Sequence, residues 1–394
     1  MEKFSQKVGV FLKIVGIICE YNPLHLGHKK QLDMIRTTYG ADCGIVCLMS
    51  GNFVQRGAPA IFDKSVRAKA AVKTGADLVL ELPVTAALSS AEGFASQGVS
   101  ILSGFCDALC FGAETANKDN LLSIANALLS PTFTDALRTQ LNKGLSFPAA
   151  RQSALEAMGL DAALLCAPNN ILAVEYCKAI IQQGCNLEPI PILRQGSYHD
   201  DAPDPENPSA TSLRKLIAEG GDWRSYVPKE ASECYAAATL HTLSAGERAI
   251  LGKLRTMTDC EFEALPYGSG GLWRKLMHAS RTEATLTDIL TATKSKRYTR
   301  TRLDRMVMCA FLGLTEKDFQ APAPYVRALA FNDKGRMILK KARETGCFPN
   351  AGERQEHPYQ AIESRCGTLY GLFAEEAIEP ASSEEKQRIG YINN

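Results

Sequence analysis

The stretch that decides the fold runs from Ile14 to Gln31, I-V-G-I-I-C-E-Y-N-P-L-H-L-G-H-K-K-Q. Its first residues are apolar and rich in β-branched side chains, which predicts a strand buried on both faces. Pro23 interrupts the run, because its ring fixes φ and keeps Asn22 out of the helical region. From Leu26 onward apolar residues recur at helical spacing, so the stretch predicts a strand, a turn and a helix.

His25 and His28 flank Gly27 where the predicted strand turns into the helix. The first amides of a helix lack intrahelical partners, and the helix dipole favours negative charge at this end. A glycine lets a ligand approach the backbone closely, and imidazole rings can donate hydrogen bonds to phosphate oxygens. The H-x-G-H motif therefore favours a phosphate site, with two unrelated surface histidines as the alternative.

Four further apolar runs, separated by helical patterns, lie between residues 43 and 193. Short strands alternating with helices predict an α/β fold with a Rossmann-like parallel sheet joined by right-handed crossovers. In such sheets ligands bind beyond the carboxyl ends of the strands. The predicted strands are residues 43–49, 77–82, 107–111 and 187–193, the last at an edge because it contains Pro189 and Pro191.

Helical patterns fill the intervals between these strands. Asp63 is predicted to cap a helix over residues 64–74, since its carboxylate can accept from the first free amides. One long helix is predicted over residues 86–102, and residues 119–185 show helical patterns throughout. This arrangement supplies the crossover connections that a parallel sheet needs.

Two helix starts carry polar side chains that could bind a ligand. Asn169 or Asn170 can cap the helix that follows them. The segment from Ser209 to Arg214 brings hydroxyls, free amides and a guanidinium to a helix start. That combination suits a phosphate, and simple N-capping by the hydroxyls fits the pattern equally well.

A chain of 394 residues is longer than one ordinary core, so more than one domain is expected. The predicted division is an N-terminal extension (1–12), a nucleotide-binding Rossmann-like domain (13–228) and a mostly helical, basic C-terminal domain (229–394). Residues 325–331 form a possible strand within the last of these. The helical patterns and short loops beyond residue 228 are the basis of that boundary.

The composition is that of a soluble globular protein, with 45% apolar residues and a net charge of +1. No apolar run approaches the roughly 20 residues that span a bilayer, and the start lacks a signal-peptide pattern. The 13 cysteines are scattered without a C-x-x-C pair, which favours reduced thiols in the cytoplasm over disulfides or a metal site. We therefore expect a cytoplasmic protein without membrane partners, and no oligomeric state is predicted.

Basic residues cluster in the C-terminal half. One set surrounds Tyr298 and is predicted to lie on a helix, with Tyr298, Arg302 and Arg305 on one face. With Trp273-Arg274-Lys275, these residues could form a phosphate-backbone footprint with an aromatic ring for stacking; a solvated face is the alternative. The first set is Lys294, Lys296, Arg297, Arg300, Arg302 and Arg305, and the second is Lys334, Arg336, Lys340, Lys341 and Arg343.

The H-x-G-H motif after a first strand, with S-x-T-S-x-R far downstream, resembles the nucleotidyltransferase superfamily that includes class I aminoacyl-tRNA synthetases. Longer strings make the chain similar to the bacterial tRNA(Met) cytidine acetate ligase family over nearly its whole length. That family usually has Phe and Asn where this chain has Leu24 and Leu26, a departure that affects pocket shape. The strings are G-I-I-C-E-Y-N-P-L-H-L-G-H, M-S-G-N-F-V-Q-R-G, D-L-V-L-E-L-P, F-G-A-E, P-N-N-I-L, Y-H-D, S-A-T-S-L-R, K-S-K-R-Y-T-R-T-R-L and Y-V-R-A-L-A-F-N.

The resemblance implies an ATP-dependent reaction in two steps. Acetate would attack the α-phosphorus of ATP to give acetyl-adenylate, and N4 of the wobble cytidine of elongator tRNA(Met) would then take the acetyl group. Attack on phosphorus needs positioning and charge stabilisation more than a covalent nucleophile, so His25 and His28 are predicted to be catalytic. Any Mg²⁺ would be held by phosphates and water, without a protein ligand.

The resemblance also implies which residues bind ATP. Arg214 and the hydroxyls of Ser209, Thr211 and Ser212 would close on the β- and γ-phosphates. The remaining ATP-site residues would be Ile18, Cys19, Glu20, Tyr21, Asn22, Pro23, Leu24, His25, Leu26, Gly27, His28, Lys29, Lys30, Gln31, Gly112, Asn169, Asn170 and Arg194.

Two other classes of protein share parts of this pattern. A small-metabolite adenylyltransferase would have the same H-x-G-H core, but would leave the long basic C-terminal half without a use. A non-catalytic RNA-binding protein with a relict nucleotide fold would not need His25, Gly27 and His28 intact.

Overall fold

The computed structural model describes residues 13–194, 203–322, 325–344, 357–376 and 388–393. The predicted N-terminal extension (1–12) and the Y-H-D motif at residues 198–200 lie outside these ranges.

A mostly parallel sheet of seven strands organises the described residues, in the order β7-β6-β1-β2-β5-β8-β9. The predicted α/β fold is confirmed, and the predicted proline-containing strand is at an edge of the sheet. A short antiparallel hairpin, β3–β4, follows β2. The strands are β1 Ile14–Cys19, β2 Gly44–Ser50, β3 Phe53–Val54, β4 Ala58–Pro59, β5 Leu78–Leu82, β6 Ala108–Ala113, β7 Glu188–Leu193, β8 Arg327–Phe331 and β9 Gly390–Tyr391.

Helices connect and cover these strands, and they dominate the chain beyond residue 228. Short 3₁₀ turns lie at Ala162–Cys166, Arg224–Tyr226, Glu316–Phe319 and Gly371–Phe373. The α-helices of the described residues are α1 Leu26–Tyr39, α2 Lys64–Thr74, α3 Val84–Ala87, α4 Ala91–Ser103, α5 Lys118–Leu129, α6 Pro131–Asn142, α7 Phe147–Ala157, α8 Pro168–Gln183, α9 Ala210–Ala218, α10 Lys229–Tyr235, α11 Leu243–Thr256, α12 Asp259–Glu263, α13 Leu272–Thr282, α14 Leu286–Thr293, α15 Arg300–Leu312, α16 Asp333–Arg343 and α17 Tyr359–Tyr370.

The C-terminal half returns one strand to the sheet. β8, which was predicted within the helical part of the chain, pairs antiparallel with β5 and parallel with β9. If β8 did not join the sheet, it would lie among helices with its backbone N–H and C=O groups unpaired. The sheet is therefore completed by residues far apart in sequence.

Apolar side chains cover both faces of the sheet. Ile14, Val46 and Leu80 point into the core beneath α4 and α8, whereas Val15 and Ile45 point into the core beneath α1 and α2. This alternation explains why the parallel strands read as continuous apolar runs rather than as alternating ones. A separate helical core forms mainly from α11, α13, α14 and α15.

The helix predicted over residues 86–102 is wrong, because two helices occupy this region. α3 ends at Ala87, and the Ser90 hydroxyl accepts from the amide of Gly93 to begin α4. A serine that bonds to the backbone competes with the helix, so it interrupts an apolar pattern that would otherwise continue. Both helices still pack above the sheet.

None of the helices in the described ranges is long and apolar enough to cross a membrane. Each cysteine described there is a free thiol.

Candidate active site

The H-x-G-H motif forms the N-terminal cap of α1. His25 Nδ1 accepts from the amide of Gly27 at 3.1 Å, and His28 Nδ1 accepts from the amide of His25 at 3.2 Å. This reciprocal arrangement is a capping box built from two imidazoles instead of a hydroxyl and a carboxylate. The ring centroids lie 3.7 Å apart, with the ring planes tilted by 30°. The motif therefore holds both rings rigidly at the carboxyl end of β1.

The cap fixes the protonation state of both rings. A nitrogen that accepts from an amide carries no proton, so each ring is neutral and keeps its proton on Nε2. Burial lowers the pKa of His28 to about 3, and the charge of Arg194 lowers this pKa as well. Burial lowers the pKa of His25 well below its ordinary value, assisted by His28, Arg194 and Arg214. Both rings therefore serve as neutral hydrogen-bond donors.

His25 Nε2 is buried and has no hydrogen-bond partner among the described residues. A buried donor left unpaired costs about 1–3 kcal/mol of free energy. A ligand oxygen that accepts from Nε2 would remove this penalty. Arg194 and Arg214, whose charges lower the pKa of His25, add positive charge near this ring. The arrangement suits a phosphate group.

Arg67 holds the strand ends of the site together, and no motif in the sequence points to it. Its guanidinium is fully buried and donates to the carbonyl oxygens of Phe62 at 2.8 Å, Glu20 at 2.6 Å and Ser50 at 3.1 Å, and also to Gly51. Glu20 and Gly51 directly follow β1 and β2. Arg67 lies in the ordinary apolar pattern of α2, so no local signal distinguishes it.

Another group of polar side chains lies where β6 and β7 end beside the start of α8. The carboxylate of Glu114 accepts from Asn169 Nδ2 at 2.7 Å and from the amide of Asn170 at 2.8 Å. Arg194 donates to Asn169 Oδ1 at 3.2 Å. Gly112 is exposed in β6, and a Cβ there would meet nothing within 4 Å. Gly112, Asn169, Asn170 and Arg194 are site residues predicted from separate motifs, whereas Glu114, which holds the two asparagines, was not predicted.

The predicted capping by Asn169 or Asn170 is wrong, because α8 begins at Pro168 with Ala167 as its cap residue. Proline is favoured at the first helical position, where the missing N–H costs nothing. The two asparagines consequently lie in the first turn. Asn170 instead accepts from the amide of Thr115 at 3.0 Å, which fixes the loop after β6.

The segment around α9 places Arg214 against the turn that precedes His25. Arg214 donates to the carbonyl of Asn22 at 2.7 Å and to the Thr211 hydroxyl at 3.1 Å. The hydroxyls of Ser209 and Ser212 are buried and bond to each other at 2.8 Å, and the Ser209 hydroxyl caps α9 by accepting from the amide of Ser212. Ser209 therefore takes the capping role, whereas Thr211 supports Arg214, which reaches the turn before His25.

The rest of the residues 18–31 divide between packing and surface positions. Ile18, Tyr21, Asn22 and Leu24 are buried, and Asn22 Oδ1 accepts from the amide of Ile61 at 2.8 Å. Pro23 is buried as well, whereas Cys19, Glu20, Leu26 and Gly27 are half-buried. Lys29 pairs with Asp33 on α1 and Lys30 bonds to Asn207 at 2.8 Å, while Gln31 donates to the thiol of Cys110. These residues shape the turn around the histidine pair.

One member of the first basic set, Arg305, lies near the carboxyl end of β1, where the histidine pair is. Arg305 donates to the carbonyl of Gln55, in the hairpin that follows β2, at 3.3 Å. Arg302 donates to the carbonyl of Tyr267 and to the Ser269 hydroxyl, so it holds the loop before α13. Lys294, Lys296 and Arg297 are exposed.

One sequence expectation about the first basic set needs correction. Tyr298 does not share a helix with Arg302, because α15 begins at Arg300 with Thr299 as its cap. The second basic set lies on α16. This helix packs against the start of β2, because Ile338 of α16 lies so close to Gly44 that a Cβ there would be 2.8 Å from its Cδ1. That is the amino end of the parallel strands, opposite the histidine pair. Among the described residues, the first set reaches the candidate site through Arg305, which donates to Gln55 next to Glu20.

A histidine-capped helix after the first strand of a Rossmann-like sheet defines a nucleotidyltransferase, and residues 12–386 match the family model described as HIGH Nucleotidyl Transferase. A tRNA(Met) cytidine acetate ligase of Clostridium acetobutylicum is 35% identical, covering 89% of this chain and 92% of the relative. The enzyme of that name from Anoxybacillus flavithermus is 33% identical, covering 96% and 98%. The chain belongs to the tRNA(Met) cytidine acetate ligase family.

Solved structures agree with this assignment. Thermotoga maritima TmcAL in its apo form superposes with a TM-score of 0.89 at 27% identity, covering 97% of this chain and all of that one. The same protein bound with alpha-thio ATP gives a TM-score of 0.86 with the same coverage. The predicted fold class and family are therefore confirmed.

Proposed function

We propose that the protein is an ATP-dependent ligase that joins acetate to the wobble cytidine of elongator tRNA(Met). An oxygen of acetate attacks the α-phosphorus of ATP, which forms acetyl-adenylate and releases pyrophosphate. The N4 amine of cytidine then attacks the acetyl carbon and AMP departs, leaving N4-acetylcytidine and one proton. The observation that carries this proposal is the neutral histidine pair at the carboxyl end of β1.

The site residues divide the work of the first step. His25 and His28 present Nε2–H donors toward charge that develops on the α-phosphate, where preorganised donors stabilise a transition state most. Arg214 and Thr211 face the β- and γ-phosphates of ATP. Asn169 and Arg194 bind the nucleotide from the side of β6. Any Mg²⁺ would be held by phosphate oxygens and water, as is usual for this ion with nucleotides.

The experiment that tests the proposal is pyrophosphate exchange with acetate, followed by acetylation of tRNA. Free acetate with ATP should support exchange and give N4-acetylcytidine, and propionate should react more slowly, since one methylene changes discrimination by about 10–200-fold. Acetyl-coenzyme A without ATP should give no product. Product from acetyl-coenzyme A alone, or adenylyl transfer to a small metabolite without tRNA, would contradict the proposal.

The first basic set is proposed to bind the tRNA backbone. Replacing Lys294, Lys296 and Arg297 together with alanine should weaken tRNA binding and lower the salt slope by about one for each lost phosphate contact. Filter binding at several salt concentrations measures both quantities, and ATP affinity should not change. Arg302 and Arg305 are left intact because they hold neighbouring loops.

The matched control replaces Lys340, Lys341 and Arg343 with alanine. These residues are exposed on α16 and carry the same total charge, but they lie toward the opposite end of the sheet. Their loss should leave the salt slope nearly unchanged. Equal changes in the salt slope of tRNA binding in the two triple variants would show that the first set is an ordinary solvated face.

A further inference from the structure

The turn between β1 and the histidine motif has a strained backbone. Tyr21 has a φ of 44°, in the left-handed region that residues with side chains seldom adopt. Such a conformation is unfavourable by itself and persists only where the surrounding structure holds it. The residues after Tyr21 lead directly to His25, the cap of α1. The position of this cap therefore depends on the contacts that hold the turn.

Hydrogen bonds from distant segments hold the turn in place. Asn22 Oδ1 accepts from the amide of Ile61 at 2.8 Å, and the carbonyl of Asn22 accepts from Arg214 at 2.7 Å. The amide of Leu24 donates to Oη of Tyr235 at 3.1 Å. Leu24 is the residue directly before the cap, and Tyr235 is the last residue of α10. A side chain 211 positions away therefore fixes the backbone next to the histidine motif.

Tyr235 is itself held firmly. Its ring stacks on the ring of Phe62, with centroids 4.5 Å apart and planes 6° apart, and lies 6.0 Å from the ring of Trp223. Tyr235 is 2% exposed, and Leu24 is fully buried. Water cannot readily replace a hydrogen bond between two groups that are buried in this way. The hydroxyl of Tyr235 is thus a fixed acceptor for the amide of Leu24.

The hydroxyl of Tyr235 can influence ATP chemistry through the position of the cap. Burial raises the pKa of Tyr235, so the hydroxyl stays neutral, and its oxygen is engaged by the backbone amide of Leu24. The donor at His25 Nε2 acts on developing charge, and such a donor is effective only when it is held in the right place. A misplacement of about 1 Å can cost about 10²-fold in rate.

We propose that Tyr235 is a positioning residue for His25, because it fixes the amide of Leu24 and thereby sets the place of the cap at the carboxyl end of β1. This rests on the proposed function and deepens it. The first helix of the C-terminal half, α10, then takes part in acetyl-adenylate formation without touching ATP. No bond to Tyr235 is made or broken in the reaction.

The test begins with Tyr235→Phe, which keeps the stacked ring and removes the acceptor. The kcat of acetate-dependent pyrophosphate exchange should fall about 10–50-fold, because a displaced donor is felt mainly in the transition state. The KM for ATP should hardly change, since the lost interaction is made only there. A residue with a purely structural role would not separate kcat from KM in this way.

The matched control is Tyr267→Phe. It likewise removes a tyrosine hydroxyl that bonds to a backbone group, since Tyr267 donates to the carbonyl of Leu88 at 2.7 Å beside the helical core of the C-terminal half. Thermal unfolding of both variants reports the loss of stability from each missing hydrogen bond. Exchange by Tyr267→Phe should match that of the unmodified protein.

A double variant tests whether Tyr235 acts through His25. Residues that act as a unit are not additive, so His25→Asn combined with Tyr235→Phe should lose no more exchange than His25→Asn alone. Losses that multiply would show that Tyr235 acts elsewhere and would overturn the inference. Unchanged exchange in Tyr235→Phe, or equal losses of kcat in Tyr235→Phe and Tyr267→Phe, would overturn it too. Absence of exchange by the unmodified protein would reject the proposed function, and the inference with it.

Discussion

Removing either imidazole of the histidine pair is expected to slow acetyl-adenylate formation by about 10²–10³-fold, the usual loss for one preorganised donor to developing charge. The sharpest variants preserve the cap of α1. His25→Asn retains an N-cap acceptor for the amide of Gly27, and His28→Gln retains the N3 side chain of an ordinary capping box. The Asn side chain is too short to place a donor where Nε2–H of His25 lies, and the Gln amide lacks the rigid ring that fixes Nε2–H of His28.

Pyrophosphate exchange and thermal unfolding, measured on the same preparations, distinguish lost chemistry from lost folding. Alanine variants also lose the cap, which typically costs about 1 kcal/mol, so they serve as the comparison. His25→Asn and His28→Gln should melt near the unmodified protein while losing exchange. Near-normal exchange by both capped variants would show that the imidazoles are dispensable.

The pH profile is a second readout of the same two residues. Their folded-state pKa values lie below the unfolded value, so the neutral rings contribute stability above about pH 6.5 that is lost as the pH falls toward the folded values. Exchange should therefore show no histidine ionisation near pH 6.5. A limb there that disappears in His25→Asn would mean that one ring titrates during catalysis.

Much of the site follows from local sequence signals. The β-branched run before Pro23 and the helical spacing after Leu26 are properties of adjacent residues, so strand, turn and helix follow from them. The carboxyl ends of parallel strands meet at one edge, which brings Gly112 and Arg194 toward the histidines without any long-range information. Local pattern and sheet topology point to the same place.

What escaped prediction depends on contacts between distant parts of the chain. β8 joins β5 across some 250 residues of intervening sequence, and antiparallel pairing at that distance leaves no local trace. The break before α4 was decided by competition of the Ser90 hydroxyl for a backbone amide, whereas capping of α9 by Ser209 is one of the two interpretations that the sequence leaves open. Arg67 looks like any basic residue on a helix, since its carbonyl partners come from three separate segments.

Replacing Arg67 is the second change expected to have a large effect. Its guanidinium serves carbonyl oxygens of Glu20, Ser50, Gly51 and Phe62, all at or near the strand ends that carry the site. Arg67→Met would leave these acceptors without their donor in a buried position. Each buried group left unpaired costs about 1–3 kcal/mol, so we expect a loss of about 3–5 kcal/mol in the free energy of unfolding.

The conservative variant Arg67→Lys discriminates between charge and geometry. Lysine keeps the positive charge but offers a compact ammonium that cannot reach carbonyls on both strand ends at once. We expect it to remain destabilised, and to slow pyrophosphate exchange even where it is fully folded, because the ends of β1 and β2 position His25. Urea unfolding and exchange are the measurements, with Lys69→Ala on the exposed face of α2 as the control. Stability within about 1 kcal/mol of the unmodified protein, the scatter of ordinary surface substitutions, together with normal exchange would show that the strand ends hold their geometry without Arg67.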